Sequence, residues 1–467
     1  MENTTQQQGN FKSYGNDRIV VGIDVGTTKI AVFIGKKDDK GKITIIGMGK
    51  TPSVGVEHGE VKVITKTADS IKIAVEQAEK RCNIKVTEAY VGIAGHNIKN
   101  SLLRGTKIIK EDDHIITQED IDELLEDQYN ISMPPGDSII DIVPQDYIID
   151  GETGIPDPVG RIGKVIECNY NLISGDETNV HNIYRSVKLA GYKVKGLILE
   201  PIASAEAVVN ANEKDAGICL VDIGGGTTDM AIFQNGILRH TAVIQLAGNS
   251  ITNDVKDACR IMLNQAEALK THYGDCLQTE KQQNTVIQIP ALRGRESREI
   301  TLYMLAGIIK ARVEMILQQV DYELKNDSYD KMLIAGIVLT GGGSKLQHIA
   351  QYTEYITGIT TRVGEPDSTW LSENVSDSAD PIYSTGIGLV LKGFEYEQKF
   401  ADNNPASADE IKTEPAEPKK EEPEDTKTES GKGGKKPKKA KKQKDGNSRF
   451  IDKITDFFAK FLNDTVE

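Results

Sequence analysis

One short signature occurs twice in this chain, about 200 residues apart, and it constrains the fold more than anything else. The first copy reads Val20-Val21-Gly22-Ile23-Asp24-Val25-Gly26-Thr27-Thr28-Lys29. The second reads Leu220-Val221-Asp222-Ile223-Gly224-Gly225-Gly226-Thr227-Thr228-Asp229. Each is an apolar β-branched run that ends on Asp, then Gly and Thr-Thr. The spacing is far beyond the 20–50 residues of a solenoid repeat, so it implies two duplicated domains facing each other across a ligand. The stretches after the two copies are also alike. Ile30 to Ile34, a polar turn at Lys37 to Gly41 and Ile43 to Met48 come after the first. Met230 to Phe233, Asn235-Gly236 and Ile237 to Leu246 come after the second. Asn-Gly between apolar runs is a hairpin signal, because both turn positions need positive φ. Both copies therefore read strand, tight Gly-Thr turn, strand, hairpin, strand.

The turn dictates the chemistry. Gly26 and Gly224, Gly225 and Gly226 let backbone N–H groups approach anionic oxygens. Thr27, Thr28, Thr227 and Thr228 add hydroxyl donors, and Lys29 adds a cation. Asp24 and Asp222 would repel phosphate directly. They are placed to hold Mg²⁺ through water, since Mg²⁺ keeps most of its hydration shell. No G-x-x-x-x-G-K-[ST] loop occurs, so this is not a Walker A site. A lone Asp-x-Gly is as often a plain turn; two copies in matching contexts favour the phosphate reading.

At 467 residues the chain exceeds a single core. The net charge of −14 argues against general nucleic-acid binding. Cys82, Cys168, Cys219, Cys259 and Cys276 form no C-x-x-C pair and read as reduced, buried thiols. The His residues show no metal-ligand spacing. No apolar run is long enough to span a bilayer, and the polar N-terminus has no signal-peptide core.

The texture of the chain gives its organisation. Residues 1–17 read as a disordered tail and 18–95 as the first part of one domain, including a helix from about Lys66 to Arg81 and a buried strand at Tyr90 to Ile93. Residues 96–174 read as a small inserted α+β domain, with a strand at Gly105 to Lys110 and an acidic helix opened by the capping box Thr117-x-x-Asp120. Residues 175–212 resume the first domain with a helix from His181 to Ala190. Residues 213–355 form the second domain, with helices expected at Ser250 to Leu263, Gln265 to Tyr273 and Arg298 to Leu324. Residues 356–399 close both domains. Residues 400–448 form a disordered linker rich in Pro, Glu and Lys, and 449–467 an amphipathic helix.

Two further features suit a nucleotide. Gly341, Gly342 and Gly343 follow a buried strand and are expected to open a helix, which lets backbone approach a flat or anionic group. Glu267 and Lys270 share a helix face and could hydrogen-bond a ribose, although an ordinary solvated pair looks the same. In the last segment, Phe450, Ile451, Ile454, Phe457, Phe458, Phe461 and Leu462 fall on one helical face. Lying in a lipid interface satisfies that face, and Lys432 to Lys444 adds attraction to anionic lipid. The competing use of the helix is docking on the protein itself or in a partner's groove.

Taken together, the motifs resemble the actin-like ATPase superfamily of actin, heat-shock chaperones and sugar kinases. Within it the chain resembles the FtsA family of bacterial cell-division proteins. Val143-Pro144-Gln145-Asp146-Tyr147 and Asp157-Pro158-Val159-Gly160 resemble that family's SHS2-like subdomain 1C. Gly248-Asn249-Ser250-Ile251-Thr252-Asn253-Asp254 resembles its segment after the second loop, and linker plus terminal helix resembles its tail. Ala247 stands where the family usually has a second Gly, and Asp141 where a His is common. The resemblance implies duplicated actin-like (ribonuclease-H-like) α/β domains around a cleft that takes ATP and Mg²⁺, with at most slow hydrolysis. It implies a peripheral protein on the cytoplasmic face of the inner membrane at the division site. Such a protein polymerises, tethers the tubulin-like FtsZ ring to anionic lipid and helps recruit later division proteins. The alternative is a metabolic kinase of the same superfamily acting on a small hydroxyl compound. Such an enzyme needs a residue to position the nucleophile; the sequence offers no convincing one, with only Asp146 and Asp176 left open. A chaperone would need a β-rich domain where the charged linker stands.

Overall fold

The duplication read from the sequence is written into the sheet topology. The computed structural model describes residues 18–95, 97–110, 113–289 and 297–403. The expected N-terminal tail, the linker beyond residue 403 and the terminal amphipathic helix lie outside the described residues. The chain divides into two units, residues 1–394 and 395–467.

The first signature forms β1 (Arg18–Val25), which turns into β2 (Lys29–Lys37) and β3 (Ile43–Pro52). A two-residue hairpin, β4 (Val56–Glu57) and β5 (Glu60–Val61), precedes α1 (Ile64–Cys82) and β6 (Glu88–Ile93). The inserted segment contains β7 (Lys99–Ile108), α2 (Gln118–Tyr129), β8 (Asp137–Ile149), β9 (Glu152–Ile155) and β10 (Val165–Asp176). The first half resumes with α3 (Glu177–Leu189), β11 (Lys193–Leu199), α4 (Glu200–Val208) and α5 (Ala211–Ala216).

The second signature forms β12 (Ile218–Ile223), β13 (Thr228–Gln234) and β14 (Ile237–Ile244). Then come α6 (Gly248–Cys259), α7 (Leu263–Tyr273), the hairpin β15 (Val286–Ile289) and β16 (Arg298–Thr301), and α8 (Leu302–Asn326). The half closes with β17 (Gly336–Thr340), α9 (Ile349–Thr357) and β18 (Thr361–Val363), and α10 (Ser384–Asn403) comes last.

One five-stranded sheet runs β11-β6-β1-β2-β3 and the other β14-β13-β12-β17-β18. In each, the signature strand is central, pairs antiparallel with the next strand and parallel with a later one. β12 and β17 are buried along their whole length, which is why they read as continuous apolar runs. The inserted domain is a separate antiparallel sheet, β7-β10-β8-β9. α2 covers one face over a core that includes Leu124, Ile166, Cys168 and Tyr170. Thr117 and Asp120 form the expected capping box at the start of α2.

Several element boundaries differ from the periodicity reading. The strand expected at Gly105 starts at Lys99. α3 begins at Glu177, four residues early, because Asp176 caps it by accepting from Asn179 N. The helix expected from Ser250 to Leu263 stops at Cys259, where Arg260 turns left-handed at φ 53°. Arg298–Thr301 is a strand paired with β15, and the long helix starts only at Leu302, capped by Thr301. Gly342–Lys345 is a single 3-10 turn, and the helix waits until Ile349. All five cysteines are buried thiols outside any disulfide.

Candidate functional site

The two Gly-Thr turns sit at equivalent ends of the two signature strands, and the fold brings them into contact. A side chain on Gly225 would lie 1.9 Å from Thr28 Oγ1, and one on Gly226 would lie 2.4 Å from Thr27 Oγ1. A side chain at either position could enter only by displacing the facing threonine. The tip of the small β4–β5 hairpin touches both of them. Gly59 N donates to Thr27 Oγ1 at 2.9 Å, and His58 Nδ1 lies 3.2 Å from Gly226 O. Both tip residues have positive φ, as a two-residue hairpin turn requires.

Beneath the loops lies a cluster of carboxylates with one cation. Asp24 is 3% exposed and Asp222 8%. Lys29 Nζ is 3.0 Å from Asp24 Oδ2. Burial opposes the Lys29 charge, but Asp24, and behind it Asp222 and Glu200, hold its pKa above the ordinary value. Burial raises the Asp222 carboxyl, against the Ser204 hydrogen bond and the charge of Lys29. Ser204 Oγ donates to Asp222 Oδ2 at 2.7 Å, and Thr385 Oγ1 reaches the same oxygen at 3.3 Å.

Two further acids join the site that the sequence reading does not include. Asp229 pairs across the hairpin with Asp222. Burial and the Asp222 charge push it up to about 7, while the Thr227 hydroxyl, 2.9 Å away, pulls it down. Its Oδ1 is buried and has no hydrogen-bond partner. Glu200 opens α4, and its pKa is raised well above the ordinary value by burial and by Asp24, Asp229 and Asp222, against Lys29. Perturbation by burial plus like charges clusters at functional sites. The one local hint of Glu200 in the sequence is Glu-Pro directly after a strand.

The remaining expected residues also gather at the second loop. Lys270 Nζ bonds Glu267 Oε2 at 2.8 Å, Thr252 Oγ1 at 2.8 Å and Gly248 O at 3.1 Å. Gly248 N in turn donates to Gly224 O, so α6 ties this pair to the loop. Gly341, at φ 80°, lies so close that a side chain there would be 2.2 Å from Asp222 Oδ1. Gly343 packs on Ile223. The acids weighed for a kinase are engaged elsewhere: Asp146 pairs with Arg239 at 2.9 Å, and Asp176 caps α3.

Among the described residues, no group of three or more His, Cys, Asp or Glu is arranged to hold a metal ion. The pair Asp24 and Asp222 fits a cation held mostly through water and a ligand's own oxygens. Among the described residues, no helix is long and apolar enough to cross a membrane.

Known proteins resemble this chain. A family profile described as "Cell division protein FtsA" matches residues 219–388, and one described as "SHS2 domain inserted in FTSA" matches residues 95–174. Cell division protein FtsA of Neisseria meningitidis is 39% identical over 375 residues, 80% of this chain and 89% of that protein. Its counterpart in Pseudomonas aeruginosa is 34% identical over 384 residues, 82% and 91% of the two chains. The Escherichia coli K12 protein is 32% identical, covering 81% and 91%. Among solved structures, a chain of the PilM-PilN type IV pilus biogenesis complex superposes with a TM-score of 0.59 at 16% identity, covering 80% of this chain and 98% of that one. MreB5 of Spiroplasma citri bound to ADP gives 0.50 at 15% identity, covering 83% and 99%. These structural likenesses show an actin-like fold. The curated relatives match along most of their own length, and the chain belongs to the FtsA family of cell-division proteins.

Proposed function

We propose that the chain binds ATP with Mg²⁺ between its two halves and acts as a nucleotide-controlled, polymerising tether. It would hold the FtsZ ring on the cytoplasmic face of the membrane and help recruit later division proteins. The observation that carries the nucleotide part is the contact between the two Gly-Thr loops over Asp24 and Asp222. Backbone and hydroxyl donors of Gly26 to Thr28 and Gly224 to Thr228 suit phosphate oxygens. Glu267 and Lys270 suit the ribose, and Gly341 to Gly343 a flat base. Mg²⁺, when bound, neutralises phosphate charge. Asp24 and Asp222 would orient its water shell, and Lys29 would balance the acids. Glu200, which opens α4 among these acids, would orient a water toward the phosphates.

Polymerisation and membrane attachment rest on family membership and on the apolar face from Phe450 to Leu462. The deciding experiment is sedimentation with anionic vesicles, with and without ATP and Mg²⁺. The full chain should pellet with vesicles and pellet more with ATP. A chain lacking residues 449–467 should bind ATP and stay in solution. Equal vesicle binding by both would refute the tether.

A further inference from the structure

The Val143-Pro144-Gln145-Asp146-Tyr147 segment supplies no phosphate, ribose or metal contact, yet the structure gives it a defined partner. β14 is the edge strand of the second five-stranded sheet, and the inserted domain packs against that edge. Both sides are bulged at the contact. On β14, Ile232 faces His240 and Phe233 faces Leu238, so Arg239 is the extra residue. On β8, Cys168 faces Tyr147 and Tyr170 faces Pro144, so Gln145 and Asp146 together oppose a single residue of β10. A bulge re-aims the side chains it carries, and these two bulges aim at each other.

Arg239 Nη1 donates to Asp146 Oδ2 at 2.9 Å and to Gln145 Oε1 at 3.3 Å. Gln145 Nε2 donates to the edge carbonyl Leu238 O at 2.9 Å. A second clasp lies further along the same edge. Asn100 Nδ2 donates to Thr241 O, while Thr241 Oγ1 donates to Asn100 Oδ1 at 3.0 Å. Gln145 and Thr241 are buried, so these amides satisfy carbonyls that water does not reach.

The position of each end matters. The insert is rooted in the first half, where Asn179 Nδ2 holds Ala94 O at 2.9 Å. The strand it grips leads straight to the second loop: Thr228 Oγ1 donates to Leu246 O, and Asn249 N to Gly225 O. A body rooted in one half and clasped to the other cannot stay still when the halves move. We propose that Gln145 and Asp146, with Asn100, form a latch on β14 through which the inserted domain follows the opening and closing of the cleft. The dependence on nucleotide rests on the ATP reading above; the latch itself does not.

Hydrogen exchange tests both parts on the full chain. Without nucleotide, Arg239→Glu should speed exchange along β14 and β8 by about tenfold, the worth of one charge-assisted hydrogen bond. The swap Asp146→Arg with Arg239→Glu should restore protection. A swap no better than the single variant overturns the latch. With ATP and Mg²⁺, the wild-type insert should gain protection at β7 and β8. Arg239→Glu should still take up ATP by calorimetry but lose that response. An unchanged response in Arg239→Glu overturns the latch as the conductor. A wild-type chain that takes up no ATP overturns the nucleotide reading, while the nucleotide-free comparison still decides the latch.

Discussion

Gly388→Ala sets two effects of opposite sign against each other. Gly388 lies within α10, where Ala would normally gain about 1 kcal/mol over Gly from helix propensity. Here α10 crosses α4, and a methyl at Gly388 would lie 1.7 Å from Ala203 O and 2.3 Å from Ala203 C. Carbon atoms settle near 3.5 Å or more from such neighbours, so the helices must part by about 1.5 Å or more. The obstacle is backbone, so no rotamer change relieves it. Overpacking of this kind costs about 1–3 kcal/mol, and a backbone obstacle belongs at the upper end. Subtracting the propensity gain leaves a net loss of about 2 kcal/mol. The displacement would also reach Ser204 on α4 and Thr385 on α10, whose hydroxyls both bond Asp222.

The assay is urea unfolding followed by circular dichroism, with Gly386→Ala as the companion variant. At Gly386 the added methyl would be 2.4 Å from the Phe33 ring, which is fully buried but is a side chain rather than backbone, so helix propensity offsets more of the strain. The loss there should be smaller, about 1 kcal/mol or less. A Gly388→Ala protein as stable as the wild type, or more so, would show that propensity prevails and that the crossing is not tight.

The other predictions concern the cleft and the tail. Gly225→Asp puts a carboxylate beside Thr28 and against phosphate, with repulsion of roughly several kcal/mol in a confined site; ATP binding should vanish, and undiminished affinity by calorimetry on folded protein would refute the assignment. Asp229 is a carboxyl whose folded pKa, about 7, lies above its unfolded value. Its ionisation therefore costs stability progressively as pH rises from the unfolded pKa to the folded one. Nucleotide-free Asp229→Asn should lose less stability than the wild type between about pH 4 and 7, and equal slopes in thermal melts would contradict this. Phe457→Glu with Phe458→Glu should leave folding and ATP binding intact but abolish binding to anionic vesicles; unchanged binding would favour a partner groove instead.

The duplication was legible because it is carried by local rules. A β-branched run needs no partner to announce a buried strand, and Gly-Thr-Thr after Asp leaves few backbone options. The capping box at Thr117 was legible for the same reason. What escaped depends on distant chain. Arg298–Thr301 is too short and polar to declare itself a strand, and becomes one by pairing with β15. Arg260 ends α6 by adopting a left-handed conformation that glycine or asparagine would have advertised. Glu200 looks like an ordinary first-turn acid of an Ala-rich helix. Its character comes from Asp24, Asp222 and Asp229, which arrive from other strands. Gln145 and Arg239 are 94 residues apart, and nothing local to either names the other.

The charge pattern of the cleft bears on what a bound nucleotide would do there. Asp24, Asp222, Asp229 and Glu200 influence one another, with Lys29 as the cation among them. Bringing the two loops together therefore concentrates like charge in a buried place, which is unfavourable until further positive charge enters. On the proposed reading, Mg²⁺ carried by ATP removes that penalty in the closed arrangement and does little for an open one. A ligand shifts an equilibrium by that difference in affinity. Asp222 is where the effect would be passed on, since its Oδ2 is held by Ser204 and Thr385 from α4 and α10, while Gly341 crowds its Oδ1. A carboxylate fixed on both sides transmits a change in its charge as a force on both helices. On the proposed reading, nucleotide would therefore act as a structural ligand, with closure rather than turnover as its main consequence.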